Sequence, residues 1–346
     1  MKPTQKELTE WAINQIQTKF KEDVALLIAI SGHALESDCH GECFDYFVPA
    51  NENGNKLSQT FILDGVGHDL YPRSWERIEN MAEFNDDFTF GLGNGEILYS
   101  RSEEDKNRFV AMQEKQKANM RNHGFMLKKA LEKLDAAMDI YRTMMFEDQL
   151  YKVRMSAGFI ARYLSIAVAC LNGRYFKQRL DLETVELAQM KEVPENFIIL
   201  HEMIVKASTV EELKKLSHDI IGTTRIFIAS RKPEESGRTS TPNYADLADW
   251  YQEASLAWRR IYHHCDCKDY KRTFPDAMTL QHEMNIIKEE FGLREMDLLG
   301  SFNADNLSLF RQKAQELEQY IVSEIEGHGA VLNKYDSLAD FLAKNS

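Results

Sequence analysis

A chain of 346 residues exceeds what one hydrophobic core ordinarily serves, so two or three domains are expected. With 55 Asp and Glu against 42 Lys and Arg, the net charge of −13 excludes the phosphate neutralisation on which non-specific nucleic-acid binding depends. Hydrophobic content of 43% is ordinary for a globular protein, and by run length no apolar stretch approaches a membrane span.

The opening Met-Lys-Pro-Thr-Gln-Lys-Glu has no apolar h-region, so a cytoplasmic location without membrane association is expected. Cys39, Cys43, Cys170, Cys265 and Cys267 form an odd, sparse set that suits reduced thiols rather than a disulfide framework. Leu8, Trp11, Ala12, Ile16 and Phe20 recur near the helical period and predict a helix over 5–20. Strand signals follow at 24–30, 43–48, 60–63, 66–71, 88–90 and 96–99. Leu63-Asp64-Gly65-Val66 places an Asp-Gly pair between apolar runs, the signature of a tight hairpin. Pro72-Arg73-Ser74-Trp75-Glu76-Arg77 opens a helix reaching about Phe84, and Asn-Glu-Asn-Gly-Asn at 51–55 reads as a surface loop.

After Ser102 the pattern turns helical through residue 230, with breaks at Asn172-Gly173 and Val193-Pro194. Residues 231–242, rich in Pro, Ser, Thr and charge, read as an exposed linker. Helical periodicity resumes over 244–264, 274–291 and 306–326, and an amphipathic turn ends the chain. The expected organisation is α+β: a small mixed-sheet domain over 1–102, a helical bundle over 103–232 and a helical extension over 243–346. The acidic final third reads as a solvated helical face that either extends the helical region or mediates homo-oligomerisation.

The chemistry concentrates between Val24 and Asp69. The apolar run 24–30 ends in Ser31-Gly32-His33 at the mouth of an expected helix, where backbone N–H groups and the helix dipole suit phosphate. In a regular strand from Cys43, alternation puts Cys43, Asp45 and Phe47 on one face and Phe44, Tyr46 and Val48 on the other. A carboxylate in so apolar a strand needs a partner or a cation, unless it faces solvent at an edge. Asp69 poses the same question on a strand expected nearby. Together the two acids suit a hard divalent ion bridging to a triphosphate. Anion handling has a further candidate in residues 151–180, which lack Asp and Glu yet hold Lys152, Arg154, Arg162, Arg174, Lys177 and Arg179.

Strand, glycine turn, helix, then strands bearing spaced acids resembles the nucleotidyltransferase superfamily with a DNA-polymerase-beta-like catalytic domain. The aminoglycoside and lincosamide nucleotidyltransferases are the nearest branch. In the resemblance Gly32-His33 stands for the family's Gly-Ser, Cys43-Phe44-Asp45 for Asp-x-Asp, and Asp69 for the third acid. Residues 95–102 are similar to the strand and turn that end that domain, and 169–175 to its helical substrate-binding bundle. The likeness covers about residues 5–230. It implies Mg²⁺-dependent transfer of a nucleoside monophosphate, usually AMP from ATP or another NTP, onto a hydroxyl of a small-molecule acceptor. Gly32, His33 and Lys152 would hold the nucleotide, Asp45 and Asp69 the metal, and Asp148 would act as base one turn before Lys152. Cys43 and His33 depart from the family's Asp and Ser, and a thiol is a poor ligand for Mg²⁺. The competing expectation is a catalytically degenerate fold that binds a nucleotide or a partner protein without turnover.

Other motifs are weaker. Cys39-His40-x-x-Cys43 and His263-His264-Cys265-Asp266-Cys267 offer soft ligands, but neither has standard zinc spacing. Gly91-x-Gly93-x-Gly95 lacks the Lys-Ser/Thr of a P-loop and reads as a turn.

Overall fold

The structure is a computed structural model that describes residues 3–30, 44–63, 65–177, 182–231 and 242–344. β1 (Val24–Ile30) is buried along its whole length, as an apolar run without alternation dictates for a central strand. It pairs antiparallel with β2 (Phe44–Pro49) on one side and with β5 (Gly95–Ser100) on the other. β3 (Gln59–Leu63) and β4 (Val66–Pro72) form the expected hairpin, with Leu63 opposite Val66 and Gly65 at φ +77°. Glycine takes that left-handed conformation without a side-chain penalty. β4 runs parallel to β2, Tyr46 opposite Tyr71 and Phe47 opposite Pro72. The outcome is a mixed five-stranded sheet in the order β3-β4-β2-β1-β5.

Helices cover both faces of this sheet. α1 (Pro3–Lys19) sets Ala12 and Ile16 against Leu27, Phe44, Phe47 and Leu70. On the other face α2 (Trp75–Ala82), α3 (Phe90–Gly93) and α4 (Glu103–Arg121) bring Ile78, Met81, Leu92 and Phe109 against Leu26, Ile28, Tyr46 and Val48. Ser74 caps α2 by accepting the Arg77 N–H. The strand expected at 88–90 does not form. Gly91 N–H bonds to Phe88 O, and a Cβ on Gly91 would lie 2.2 Å from the Phe88 ring, so glycine here permits a tight helical turn.

Simple alternation fails in β2. The register jumps between the pairs Ile28/Tyr46 and Ala29/Phe44, leaving Asp45 as the extra residue of a β-bulge. Phe44 and Phe47 consequently share the α1-side core, while Tyr46 and Val48 share the other.

The helices α5 (His123–Met144), α6 (Leu150–Leu171), α7 (Glu183–Ala188), α8 (Phe197–Lys206) and α9 (Val210–Ala229) enclose a core of their own. α6 is central, packed against α5, α8 and α9. Run length misses one property of α6: its cations interrupt the apolar run without much lowering its mean hydropathy of 1.3. By length and composition it could cross a membrane, yet 56% of the apolar window is buried within the chain. That is the behaviour of a bundle's central helix.

The chain divides into two compact units, Met1–Pro233 and Glu234–Ser346, so the sheet and the first helical bundle belong to one unit. The second unit holds α10 (Tyr244–Asp266), α11 (Tyr270–Phe291), α12 (Ser308–Gly327) and α13 (Leu338–Lys344). Its core centres on Trp258, Met284, Phe310 and Leu317. Within it Glu318 accepts hydrogen bonds from Tyr251 (2.9 Å) and Tyr262 (2.6 Å) and pairs with Arg259. Most of the expected linker, residues 232–241, lies outside the described residues.

Candidate functional site

Ile30 ends β1, pairs with Gly95 of β5 and hands the chain on to Ser31-Gly32-His33. Gly32, His33 and Cys43 lie outside the described residues, whereas Asp45 and Asp69 are described. Asp45 Oδ2 accepts the Ile30 backbone N–H at 2.6 Å. The bulge thus turns the carboxylate onto the end of β1 and gives a half-buried acid a hydrogen-bond donor. Asp69 is exposed, and Thr60 Oγ1 donates to its Oδ1 at 2.8 Å across the hairpin. β2 and β4 pair in parallel at Tyr46/Tyr71 and Phe47/Pro72, and Asp45 and Asp69 each precede those pairs on their own strand. Both acids therefore occupy the same end of adjacent strands, beside the exit of β1.

The donor set suits Mg²⁺, which takes oxygen ligands and is commonly held by one or two carboxylates with substrate phosphates completing its shell. Among the described residues no three of His, Cys, Asp and Glu gather, so no all-protein cage is built there. The same is true around Cys267, whose Sγ lies 3.7 Å from His263 Nε2 with no third ligand among the described residues.

Alternation places Asp69 and Tyr71 on the face of β4 opposite the buried Leu70. Just past the strand, Arg73 lays its guanidinium against three rings, with Cζ 3.8 Å from the Phe88 centroid, 5.0 Å from Tyr46 and 5.8 Å from Tyr71. Its Nε and Nη1 are buried with no acceptor among the described residues, and burial pulls its pKa down. A cation held by π faces keeps its hydrogen-bonding capacity unspent. Arg77, one turn on, pairs with Asp86 at 2.8 Å and lies 6.0 Å from the Tyr71 ring. It lines a polar cleft of about 540 Å³ with Asp86, Asp87, Glu132, Lys133 and Tyr163. Lys133 donates to Asp87 at 2.8 Å, and the buried Lys129 donates to Asn85 and Glu132. The cleft is polar and nearly charge-balanced. Sequence reasoning misses Arg73, Arg77 and Lys133. The available signal is the pair of cations four apart, straddling the Ser74 cap directly after the strand of Asp69.

The acid-free segment bonds to the chain beside the sheet near its C-terminal end. Asn94 Nδ2 donates to Lys177 O at 2.7 Å, and the Tyr175 hydroxyl donates to Asn94 Oδ1 at 3.0 Å. Because Asn94 precedes the Gly95 that pairs with Ile30, the chain following α6 docks beside the exit of β1. Gly93 makes this possible, since a Cβ there would lie 2.0 Å from the Tyr175 hydroxyl. Lys152, Arg154 and Arg162 are strung along α6, whose 22 residues span about 33 Å, Arg174 follows that helix, and Arg179 lies outside the described residues.

Asp148 and Lys152 do not form the pair expected on one helix. Glu147 Oε1 accepts the N–H groups of Asp148 and Gln149, which holds that stretch as a turn and delays the helix start to Leu150. Asp148 is almost fully exposed and lies 3.5 Å from Lys214, while Lys152 pairs with Glu147 at 3.0 Å. Both sit at the opposite end of α6 from the segment docked on Asn94.

No family model and no curated relative matches the chain. Among solved structures it is similar to a nucleotidyltransferase-like protein from Exiguobacterium sibiricum. The TM-score is 0.37 and the identity 10%, over 64% of this chain and 75% of that one.

Proposed function

We propose that the sheet end formed by Ile30, Asp45 and Asp69 is a nucleotide site, and that the chain is a nucleotidyltransferase acting on a small hydroxyl-bearing acceptor. The observation that carries this reading is the topology: two carboxylates on adjacent strands, toward the end where β1 stops at Ile30. Asp45 and Asp69 would hold Mg²⁺ jointly with the triphosphate of ATP. The ion would neutralise the phosphates and steady the pyrophosphate leaving group. Asp45, fixed through Ile30 N–H, sets the position of the site relative to the central strand. Arg73 and Arg77 contribute positive potential on the Asp69 face of β4. Asp148 and Lys152 have no part in this version of the site.

A second reading has its own support. One oxygen of each acid already accepts a hydrogen bond, from Ile30 N–H and from the Thr60 hydroxyl, and in the resemblance Cys43 stands where the family has its first metal-binding Asp. A nucleotide-binding protein without turnover fits that arrangement. Calorimetric titration with ATP, with and without Mg²⁺, separates the two. Metal-dependent binding that Asp45→Asn and Asp69→Asn each weaken at least tenfold, together with pyrophosphate release when aminoglycosides, lincosamides or polyols are offered, supports the transferase. Binding indifferent to Mg²⁺ and to both substitutions supports the second reading, and absence of ATP binding sinks both.

A further inference from the structure

α6, α7 and α8 line a second, open pocket of about 440 Å³, which shares no lining residue with the cleft at Arg77 and Lys133. Its α6 wall is one helical face: Met155, Phe159 and Arg162 follow at spacings of four and three. Arg154 lines it too, its Nη2 fixed by donation to Ala207 O at 2.7 Å. Between them Gly158 presents no side chain, and nothing lies within 4 Å of where its Cβ would be.

The polar lining is unfinished among the described residues: Glu183, only 7% exposed, has an Oε1 with no hydrogen-bond partner there, and the buried Nδ1 of His201 also lacks one. Native chains satisfy nearly all buried polar atoms, so two orphans facing one cavity point to a group that arrives from outside. Arg162 forms no hydrogen bond or ion pair with the described residues, and its electrostatic neighbour is Glu183. In a chain of net charge −13 an uncommitted guanidinium on a cavity wall is a directed anion site.

Charge and shape narrow the ligand. Two arginines against one glutamate leave a net positive lining, which suits a small anion and not a triphosphate. Phe159 (44% exposed) and Met155 (58% exposed) give an apolar platform beside the cations. Cavities of this size, mainly apolar with a few convergent polar groups, are how proteins hold small organic molecules. We infer that this cavity binds a small aromatic carboxylate. Its carboxylate lies on Arg162 with Arg154 alongside, its ring lies on Phe159 and Met155, and a hydroxyl at its far end meets Glu183 and His201. The inference is independent of the nucleotide reading and survives its failure.

The test uses the full chain and 4-hydroxyphenylacetate as probe, followed by calorimetry. The acid should bind saturably at submillimolar concentration. Its uncharged amide, 4-hydroxyphenylacetamide, should bind at least tenfold more weakly, as should the acid to Arg162→Gln, because a charge-assisted hydrogen bond is lost in each case. Phenyl phosphate should bind no better than the acid. If Arg162→Gln does not fold, Phe159→Trp in the otherwise unchanged chain reports occupancy through its fluorescence, which the acid should shift and the amide should not. Equal affinity for acid and amide, an unaffected Arg162→Gln, tighter binding of phenyl phosphate, or no saturable binding at millimolar acid overturns the assignment.

Discussion

Glu183 carries a stability cost that depends on pH. Burial pushes its carboxyl up to about 7 from the ordinary 4.5, with Ser165 and Arg162 opposing the shift only partly. Between those values the folded chain keeps a proton that the unfolded chain releases, so this group favours folding at acid pH and loses that contribution as pH rises through 7. The loss is roughly 3 kcal/mol between pH 4.5 and 8. His201, whose pKa burial pulls down, acts in the opposite sense, but its contribution cancels when wild type is compared with Glu183→Gln. Urea denaturation of both at pH 5 and pH 8 should show the variant gaining on wild type by about 2.5 kcal/mol at the higher pH. A difference that does not change with pH would refute the buried-acid account. Residues of this kind are hard to find in a sequence. Asp45 and Asp69 stand out because each is an acid inside an apolar run. Glu183 and Arg73 lie in ordinary polar contexts, and only the packing of α6 on α7, or of three rings on one guanidinium, reveals them. The face that Asp45 takes is illegible for a different reason: a bulge is a pairing event between strands and leaves no mark on one strand's composition.

At the scale of elements, Gly93 joins the end of α3 to the chain that follows α6. A Cβ there would lie 2.0 Å from the Tyr175 hydroxyl and 2.6 Å from Gln116 Oε1. Gln116 is buried and donates to Thr89 O at 2.8 Å, so it yields only by breaking that bond. Gly93→Ala should therefore destabilise by about 1–3 kcal/mol through overpacking, measured as a fall in urea midpoint at unchanged slope. A midpoint within error of wild type would show that Tyr175 moves aside freely. Elements with one dominant signal are legible beforehand. The apolar run of β1, the Asp-Gly hairpin and the long helical periodicities all read correctly, because local preference and tertiary packing agree there. The segment 88–90 misleads because aromatic content favours a strand while the next glycine permits Phe88 to fold back over a helical turn. The start of α6 misleads because Glu147 captures two N–H groups that a continuous helix would use.

Each of the two units has apolar clusters of its own. The apolar cluster around Trp258, Phe310 and Leu317 belongs wholly to Glu234–Ser346, and the sheet and α6 clusters belong wholly to Met1–Pro233. Phe310→Ala, at a fully buried site, should cost the second unit about 3–5 kcal/mol. Limited proteolysis should then cut within α10–α12 while the first unit stays protected, and simultaneous loss of both would contradict two separate cores. In sequence, the composition change near 231–242 spans the boundary between the two units, and residue 102, where strands give way to helices, falls inside the first. Within the sheet, β4 meets β2 through Tyr46/Tyr71 and Phe47/Pro72, and Pro72 has no N–H to offer. The Arg73 N–H on Phe47 O, at 2.8 Å, closes that seam. Asp69 thus stands on an outer hairpin joined to β2 along a short margin, while Asp45 is fastened to β1 through the Ile30 N–H.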